Sequence, residues 1–255
     1  RSRGLGDVYK RQQFNLTSLR RCLGAGEPLN PEVIRYWSEN TGTVIADGYG
    51  QTETINIVGN FPGIETRYGS MGKPVPGFDI NVIDNNGKIL PDGEVGHIAI
   101  RTDKKWPPGL FHGYLQDKVI VKDSFRHGWY YTGDTASRDK DGYLWFVGRS
   151  DDLISSAGYR ISPFEVESAL LEHDLIAESA VVGVPDETRG QLVKAYIVLV
   201  KGHKGSTELT KEIQDFCKNL TAPYKYPRKI EFVSSLPRTI SGKIRRVELR
   251  ENENK

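Results

Sequence analysis

The sequence predicts a mixed α/β and α+β chain in three parts: an α/β segment, a small antiparallel β domain and a compact α+β domain. Three observations predict it. A short strand, a helix and a β-branched strand follow one another between Leu16 and Gly50, the order of an α/β unit. From Gly72 the helical periodicity stops, and short alternating stretches separated by Asn/Asp-Gly turns take over, as in hairpin-rich sheets. After Asp152 helix signals return, interleaved with apolar runs of the buried-strand type.

The elements follow in order. "LTSLRRCLGAGEPL" reads as a short strand running into a glycine turn. "NPEVIRYWSENTG" reads as a helix with Asn30 as N-cap, Pro31 at the first helical position and Gly42 closing it. "TVIADGYGQTET" is a β-branched strand followed by a Gly-rich turn. "FDINVIDNNGKIL" is a strand, an Asn-Asn-Gly turn and a second strand; "GEVGHIAIRT" alternates as a third, and "GYLWFVGR" is another, entered through the turn "DKDG". In "ISPFEVESALLEH" Ser162 and Glu165 form a capping box with Pro163 between them, and Val166, Ala169 and Leu170 fall on one side. "ESAVVGVP" and "QLVKAYIVLV" are buried-type strands. Leu209, Ile213, Phe216, Cys217 and Leu220 recur at helical spacing, and "KIEFVS" is a last strand.

These textures divide the chain into residues 13–150, with an α/β piece at 13–71 and a β portion at 72–150, and residues 151–255. "RSRGLGDVYKRQ", residues 1–12, carries no cap, period or apolar face, and lacks the apolar stretch of a signal peptide. Native sequence is expected to start near Gln13, after a foreign segment or truncation scar; a mobile tail fits the same pattern.

Length and charge exclude several classes. With 255 residues there is room for one large domain or two ordinary ones. Thirty-five basic against 33 acidic residues argue against a broad nucleic-acid face. No apolar run approaches the roughly 20 residues of a membrane span. Cys22 and Cys217 alone do not make a disulfide scaffold, which favours a reducing compartment: the cytoplasm, or the mitochondrial matrix in a eukaryote. The five histidines are scattered without metal-ligand spacing, and no G-x-S-x-G nucleophile motif occurs.

Four stretches hold candidate chemistry. In "GYGQTE" a strand end presents Tyr49 to stack on a base, Thr52 to donate to a phosphate oxygen and Glu53 to hold a hard cation such as Mg2+. As a dinucleotide fingerprint its G-x-G is weak, and an ordinary β-turn accounts for the same residues equally well. In "WYYTGD" Asp134 follows a glycine at a strand end, where a carboxylate can accept from a ribose diol; a turn-former or helix cap is the simpler account of an isolated "TGD". "GRSDDLISSAGYR" stands where one texture gives way to another, a candidate hinge or a charged linker. In "LPRTISGKIRR" Lys243 follows a Ser-Gly pair among Arg238, Arg245, Arg246 and, just beyond, Arg250. A flexible cationic tip of this kind is either solvated or closes onto an anion.

"GAGEPL", "GYGQTE", "YTGD", "GRSDDLISSAGYRISPFEVE" and "PRTISGKIRR", in that order, closely resemble the adenylate-forming superfamily of acyl-CoA synthetases, nonribosomal-peptide adenylation domains and luciferases. The resemblance covers nearly everything from Gln13 to Leu249. "GLFHGY", "GYRISPFEVESAL" and "TAPYKYPRKIEF" resemble the medium-chain acyl-CoA synthetases within it. It implies the C-terminal part of a large AMP-binding domain, an α/β piece plus a small antiparallel β-barrel, followed by a mobile α+β domain. It also implies two half-reactions: ATP and a carboxylic acid give acyl-adenylate, then coenzyme A takes the acyl group and AMP leaves.

The same resemblance assigns roles. Gly24, Ala25, Gly26, Glu27, Pro28, Asp47, Gly48 and Tyr49 would form the adenine slot. Thr52 would bind the α-phosphate and Glu53 would hold Mg2+. Asp134 and Arg149 would bind the ribose hydroxyls. Lys243 would reach the α-phosphate and the acyl carboxylate, as a compact charge on a flexible stem suits, with its basic neighbours a solvated face or, alternatively, contacts to CoA. Asp151 would be the hinge. Ala157, Gly158 and Tyr159 would form a loop admitting the pantetheine arm. Arg160 and Arg189 would bind CoA phosphates, and Tyr224, Lys225 and Tyr226 would receive its nucleotide.

The sequence departs from the family in lacking the Ser/Thr/Gly-rich loop that ends in lysine and cradles the β- and γ-phosphates. It is also about half the family's length. A piece of an acyl-CoA synthetase is therefore expected. The alternatives are a noncatalytic CoA- or nucleotide-binding module and a sibling enzyme that loads a carrier protein.

Overall fold

In the computed structural model, which describes residues 15–115, 123–240 and 242–253, Asn30 caps the first helix. Its side chain accepts the Glu32 N–H at 2.8 Å, Pro31 follows, and Gly42 closes the helix in the left-handed conformation. The expectation for residues 1–12 lies outside the described residues. The chain divides into two compact units, one spanning Leu16–Asp151 and the other running from Asp152 onward.

The first unit opens with β1 (Cys22–Gly24), α1 (Pro31–Thr41) and β2 (Ile45–Gln51), and β1 pairs β2 in parallel. That is the strand–helix–strand unit read from the sequence. β3 (Ile55–Gly59) and β4 (Lys73–Pro74) add antiparallel strands, in the order β1-β2-β3-β4. A second, antiparallel sheet contains β5 (Ile80–Ile83), β6 (Val95–Arg101), β7 (Phe125–Arg126), β8 (Trp129–Arg138) and β9 (Leu144–Arg149). Its ten-residue β8 pairs β6 on one side, and β7 and β9 on the other. The two sheets share one core of Ile57, Val58, Met71, Ile80, Ile98, Ile100 and Leu144. Alternation along β6 sends Ala99 to the opposite face, with Ile83 and Trp129.

Three local expectations for this unit are corrected. The glycines of "GYGQ" lie inside β2, and the turn comes later, at Gln51–Thr54. A bulge between Tyr49 and Gly50 lets β2 and β3 approach so closely that a Cβ on Gly50 would lie 1.9 Å from the Ile55 carbonyl oxygen. The second strand expected in "GKIL" shrinks to a single bridge between Ile83 and Ile89, because the Asp84 carboxylate draws the Asn86 and Lys88 N–H groups into a tight turn. Asp134 is neither at a strand end nor in a turn or cap. It sits in the middle of β8, where Gly133 at φ 80° supplies the local kink without ending the strand.

The second unit contains β10 (Ile154–Ser156), β11 (Tyr159–Ile161), α2 (Pro163–Leu171), β12 (Ile176–Asp186), β13 (Gly190–Leu199), α3 (Thr207–Leu220), β14 (Lys229–Phe232) and α4 (Arg246–Glu253). The sheet order is β11-β10-β13-β12, and β14 runs parallel to β13. The α2 and α3 helices cover one face, where Val166, Leu170, Ile213 and Cys217 meet Val181, Val193, Ala195 and Ile197. The other face takes Leu249 of α4 and Leu236 against Val182, Val184 and Tyr196. Ser162 and Ser206 cap α2 and α3 by accepting the Glu165 and Leu209 N–H groups.

The last helix is absent from the sequence reading, which treated "SGKIRR" as a flexible tip. Its described part is a hairpin. Arg238 bridges Ile244, Thr239 N–H donates to the Lys243 carbonyl at 2.8 Å, and α4 begins at Arg246.

The Gly50 close approach generates a stability prediction. Gly50→Ala is expected to destabilise the first unit by about 3 kcal/mol, since the inserted methyl must push two strand backbones apart. The urea midpoint of the 255-residue chain measures it. A midpoint equal to that of the unsubstituted chain would disprove the close contact.

Candidate functional site

In the first unit the site is built around Asp134. Strand alternation puts Tyr49 and Gln51 on the same face of β2, and both reach this carboxylate. The Tyr49 hydroxyl donates to Oδ2 at 2.6 Å, and Gln51 Nε2 donates to the same oxygen at 2.6 Å. Gln51 also donates to the Thr132 carbonyl, and the Thr132 hydroxyl accepts the Asp134 N–H. The second oxygen, Oδ1, faces the Arg149 guanidinium at 3.7 Å, an ion-pair distance but too long for a direct hydrogen bond. Burial raises the Asp134 pKa, opposed by Tyr49, Arg149 and Gln51; burial beside that carboxylate pushes the Tyr49 phenol well up. Arg149 is half-exposed and also donates from Nε to Asp151.

Asp47 is the second buried carboxylate of this unit. It lies opposite Gly24 in the β1–β2 register and accepts the Gly48 N–H at 2.9 Å and the Leu29 N–H at 3.4 Å. It thereby ties the stretch Gly24–Pro28 to β2. Ala25, Gly26 and Glu27 are exposed in that stretch, and Gly26 has φ 101°. Burial pushes Asp47 up to about 6, against the lowering effect of its two N–H donors.

Thr52 and Glu53 lie on the turn that follows β2, Thr52 exposed and Glu53 partly buried. The turn closes through Thr54, whose hydroxyl accepts the Gln51 N–H. Ile55, the next residue, is held at φ 58°, a conformation costly for a β-branched side chain and kept only where the surrounding structure over-determines the backbone. The Tyr114 hydroxyl donates to Glu53 Oε1, and the bond to this carboxylate raises the Tyr114 pKa to about 12. The described residues contain no cluster of three metal-ligating side chains. One carboxylate suffices for Mg2+ only where substrate phosphates and water complete its shell.

The second unit presents two further groups. Ala157 and Gly158, at φ 50° and 84°, form the two-residue turn of the β10–β11 hairpin, the type that suits strand twist. The Arg189 carbonyl accepts the Ala157 N–H at 2.9 Å, so Arg189 stands beside this turn. Arg160 is exposed in β11. Tyr159 stacks on Tyr224 with ring centroids 4.1 Å apart, and Lys225 pairs with Glu165. Lys218 and Arg228 both approach the Tyr226 ring, at 4.4 and 4.8 Å from its centroid. The fold thus gathers Gly158, Tyr159, Arg189, Tyr224 and Lys225 around one hairpin.

The second group is the Lys243 hairpin. Lys243 is exposed, and its ammonium has no ion-pair partner among the described residues. Of its basic neighbours, Arg238 and Arg245 stay on the solvated face expected of them, whereas Arg246 and Arg250 are partly buried. Arg238 pairs with Glu178, Arg245 with Glu248, Arg246 with Glu167 and Arg250 with Asp152.

Three residues escaped sequence reasoning. Gln51 carried a signal, since its spacing of two from Tyr49 places both on one face of a strand. Tyr114 and Glu167 carried none, because their partners lie 61 and 79 residues away.

The AMP-binding enzyme family model matches residues 3–115, and that of the AMP-binding enzyme C-terminal domain matches residues 165–243. The chain belongs to the AMP-binding enzyme family. Over 242 residues it is 57% identical to 4-hydroxybutyrate–CoA ligase 1 of Metallosphaera sedula, covering 94% of this chain and 43% of that protein. It is 53% identical over 242 residues to the mitochondrial acyl-coenzyme A synthetase ACSM3 of Mus musculus, covering 94% of this chain and 42% of that one. The crystal structure of the anthranilate CoA ligase AuaEII with anthranoyl-AMP superposes with a TM-score of 0.85 at 39% identity, over 98% of this chain and 47% of the other. The chain therefore spans less than half the length of the curated relatives it matches. No helix among its described residues is long and apolar enough to cross a membrane.

Within this AMP-binding chain, Asp47 yields a pH prediction. Its folded-state pKa lies above the unfolded value, so the folded chain holds the proton more tightly. The stability this contributes is present below about pH 4 and lost as pH rises through about 6. Relative to Asp47→Asn, the unsubstituted chain should lose on the order of 3 kcal/mol across that window and little above it. Urea unfolding of both chains between about pH 4 and 7 makes the comparison. Parallel profiles would mean that the carboxylate is hydrated.

Proposed function

We propose that this chain is the C-terminal part of an AMP-forming acyl-CoA synthetase that activates a carboxylic acid, a medium-chain fatty acid, with ATP and passes the acyl group to coenzyme A. The observation that supports it most is Asp134: a carboxylate held in mid-strand, with two donors on one oxygen and the other turned toward Arg149. A ribose diol supplies the two hydroxyl donors that such an oxygen lacks.

In the first half-reaction a carboxylate oxygen of the acid attacks the α-phosphorus and pyrophosphate leaves. The step needs charge neutralised around phosphorus more than it needs a protein nucleophile. Thr52 donates to the α-phosphate, and Lys243 brings its ammonium to the α-phosphate and the attacking carboxylate. Glu53 would hold Mg2+, which when bound supplies further neutralisation at the phosphates. Asp134 and Arg149 orient the ribose, with the segment Gly24–Pro28 and Asp47–Tyr49 along the adenine.

In the second half-reaction the thiol of coenzyme A loses its proton and attacks the acyl carbon, and AMP leaves as the C–O bond breaks. Rotation about Asp151 withdraws Lys243 and brings the Ala157–Tyr159 turn forward. Gly158 has no side chain to obstruct the pantetheine arm. Arg160 and Arg189 pair with CoA phosphates, while Tyr224, Lys225 and Tyr226 offer aromatic faces and a cation to its nucleotide. This aromatic and cationic group favours free coenzyme A over a carrier protein. The reading places the protein in a reducing compartment, the cytoplasm or, in a eukaryote, the mitochondrial matrix.

In the complete enzyme, Lys243→Ala is expected to slow acyl-adenylate formation by about a hundredfold or more while leaving thioester formation from supplied acyl-adenylate within a few-fold. Equal losses in the two half-reactions reject the lysine's role. Asp151→Pro should do the opposite, sparing adenylation and blocking the thioester step; normal overall turnover counts against the hinge. Turnover of butyrate, octanoate and benzoate by the same enzyme tests the acid class, octanoate being expected to react fastest.

A further inference from the structure

We propose that Glu167 is a positioning residue for Lys243, acting through Arg246. The inference rests on the adenylation role of Lys243 proposed above.

Among the described residues of the Lys243 hairpin, Ile240, Gly242 and Lys243 are exposed. Ile240 is fully so, and the Lys243 ammonium is without an ion-pair partner among the described residues. The lysine's position is therefore inherited from the two limbs of the hairpin. The limbs are joined by Thr239 N–H to the Lys243 carbonyl, Lys243 N–H to the Thr239 hydroxyl and Arg245 N–H to the Pro237 carbonyl. These bonds fix the shape of the hairpin but not its attachment to the domain.

Leu236 before the hairpin, Ile244 within it and Leu249 after it pack on the sheet; two ion pairs add directional attachment, and they differ in kind. On the first limb Arg238 pairs with Glu178 at 2.7 Å and donates to the Gly242 carbonyl at 2.6 Å. Both side chains are more than two-fifths exposed, and an exposed pair holds little. On the second limb Arg246, three residues after the lysine, forks onto Glu167. Its Nη2 donates to Oε2 at 2.7 Å and to Oε1 at 2.9 Å, and its Nε donates to Oε1 at 3.2 Å. The Glu167 side chain is only 7% exposed.

Glu167 is itself fixed from two directions. It lies within α2, and its Oε1 accepts the Val181 N–H of β12 at 2.7 Å. A planar fork on a rigid, desolvated carboxylate sets orientation as well as distance. A buried ion pair is seldom better for stability than apolar residues of the same volume. What it adds here is a fixed direction for the chain that leaves Lys243. Misplacement of about an ångström at a reacting centre is enough to lower a rate severely.

The test compares half-reactions in the complete enzyme and amide exchange in the 255-residue chain. Glu167→Gln should lower acyl-adenylate formation by about ten- to a hundredfold and leave thioester formation from supplied acyl-adenylate within about twofold. On a Lys243→Ala background the same substitution should cause no further loss, because two groups acting as a unit are non-additive. The amides of Gly242, Lys243 and Arg245 should exchange about tenfold faster, with those of Val193, Ala195 and Ile197 unchanged. Glu178→Gln, which removes the exposed pair, should change adenylation less than Glu167→Gln does.

Equal loss in both half-reactions, an undiminished effect on the Lys243→Ala background, or unchanged exchange at the hairpin each overturns the proposal. Full adenylation by Lys243→Ala overturns the lysine's role and this proposal together, whereas full adenylation by Glu167→Gln alone overturns only the positioning. If Glu167→Gln fails to fold, Arg246→Lys keeps the charge and loses the fork. It should reproduce the half-reaction split, and normal adenylation in that variant also overturns the proposal.

Discussion

The arrangement of the first unit depends on one constraint: a carboxylate placed in the middle of a long strand. Asp134 is 6% exposed, and a charge there is costly unless donors meet it. The donors come from the other sheet. Tyr49 and Gln51 both belong to β2, and both donate to Asp134 on β8. The shared apolar core brings the sheets together, but it does not select a register; hydrogen bonds of fixed geometry do. The bulge at Tyr49–Gly50, which needs glycine because of the Ile55 carbonyl, lies within this same donor pair. Packing, bulge and carboxylate therefore constrain the same three residues of β2.

A buried carboxylate appears again in the second unit, with a different outcome. Glu167 accepts three contacts from Arg246 and one from a backbone N–H. Both of its oxygens are satisfied from within the fold. Asp134 has one oxygen doubly occupied and the other only near a guanidinium at 3.7 Å. Burial raises the pKa of both acids, so that shift cannot separate their roles. Hydrogen-bond occupancy can. A saturated carboxylate anchors the chain, while an incompletely saturated one retains the capacity to accept from a ligand.

This contrast also explains what was legible in the sequence. Caps depend on residues two or three apart, so Asn30, Pro31, Gly42 and Ser162 could be read directly, and each does what its position requires. Periodicity exposed the buried face of α3 through Leu209, Ile213 and Cys217. Periodicity failed for α4, whose buried contribution is Leu249 alone among its described residues. What holds that helix is a set of polar contacts: Arg246 with Glu167, Arg250 with Asp152, and Glu253 with Lys194 and Tyr196. Partners separated by dozens of residues leave no local period. The strand expected at Lys88–Leu90 failed for the converse reason, since Asp84 offered the backbone nearer hydrogen bonds than a ladder would.

The charge pattern around Lys243 carries the argument one step further. In sequence, Arg238, Lys243, Arg245, Arg246 and Arg250 look like one diffuse basic patch. In the fold each arginine faces a carboxylate: Glu178, Glu248, Glu167 and Asp152. Four of the five charges are locally compensated, and their fields largely cancel beyond the length of an ion pair. The lysine ammonium keeps its full field among the described residues, at the tip of a hairpin whose neighbouring apolar residue, Ile240, is fully exposed. A patch of five mobile cations would attract any polyanion and define no direction. One uncompensated ammonium on a braced hairpin presents a single charge at a defined place, which stabilising one developing charge requires.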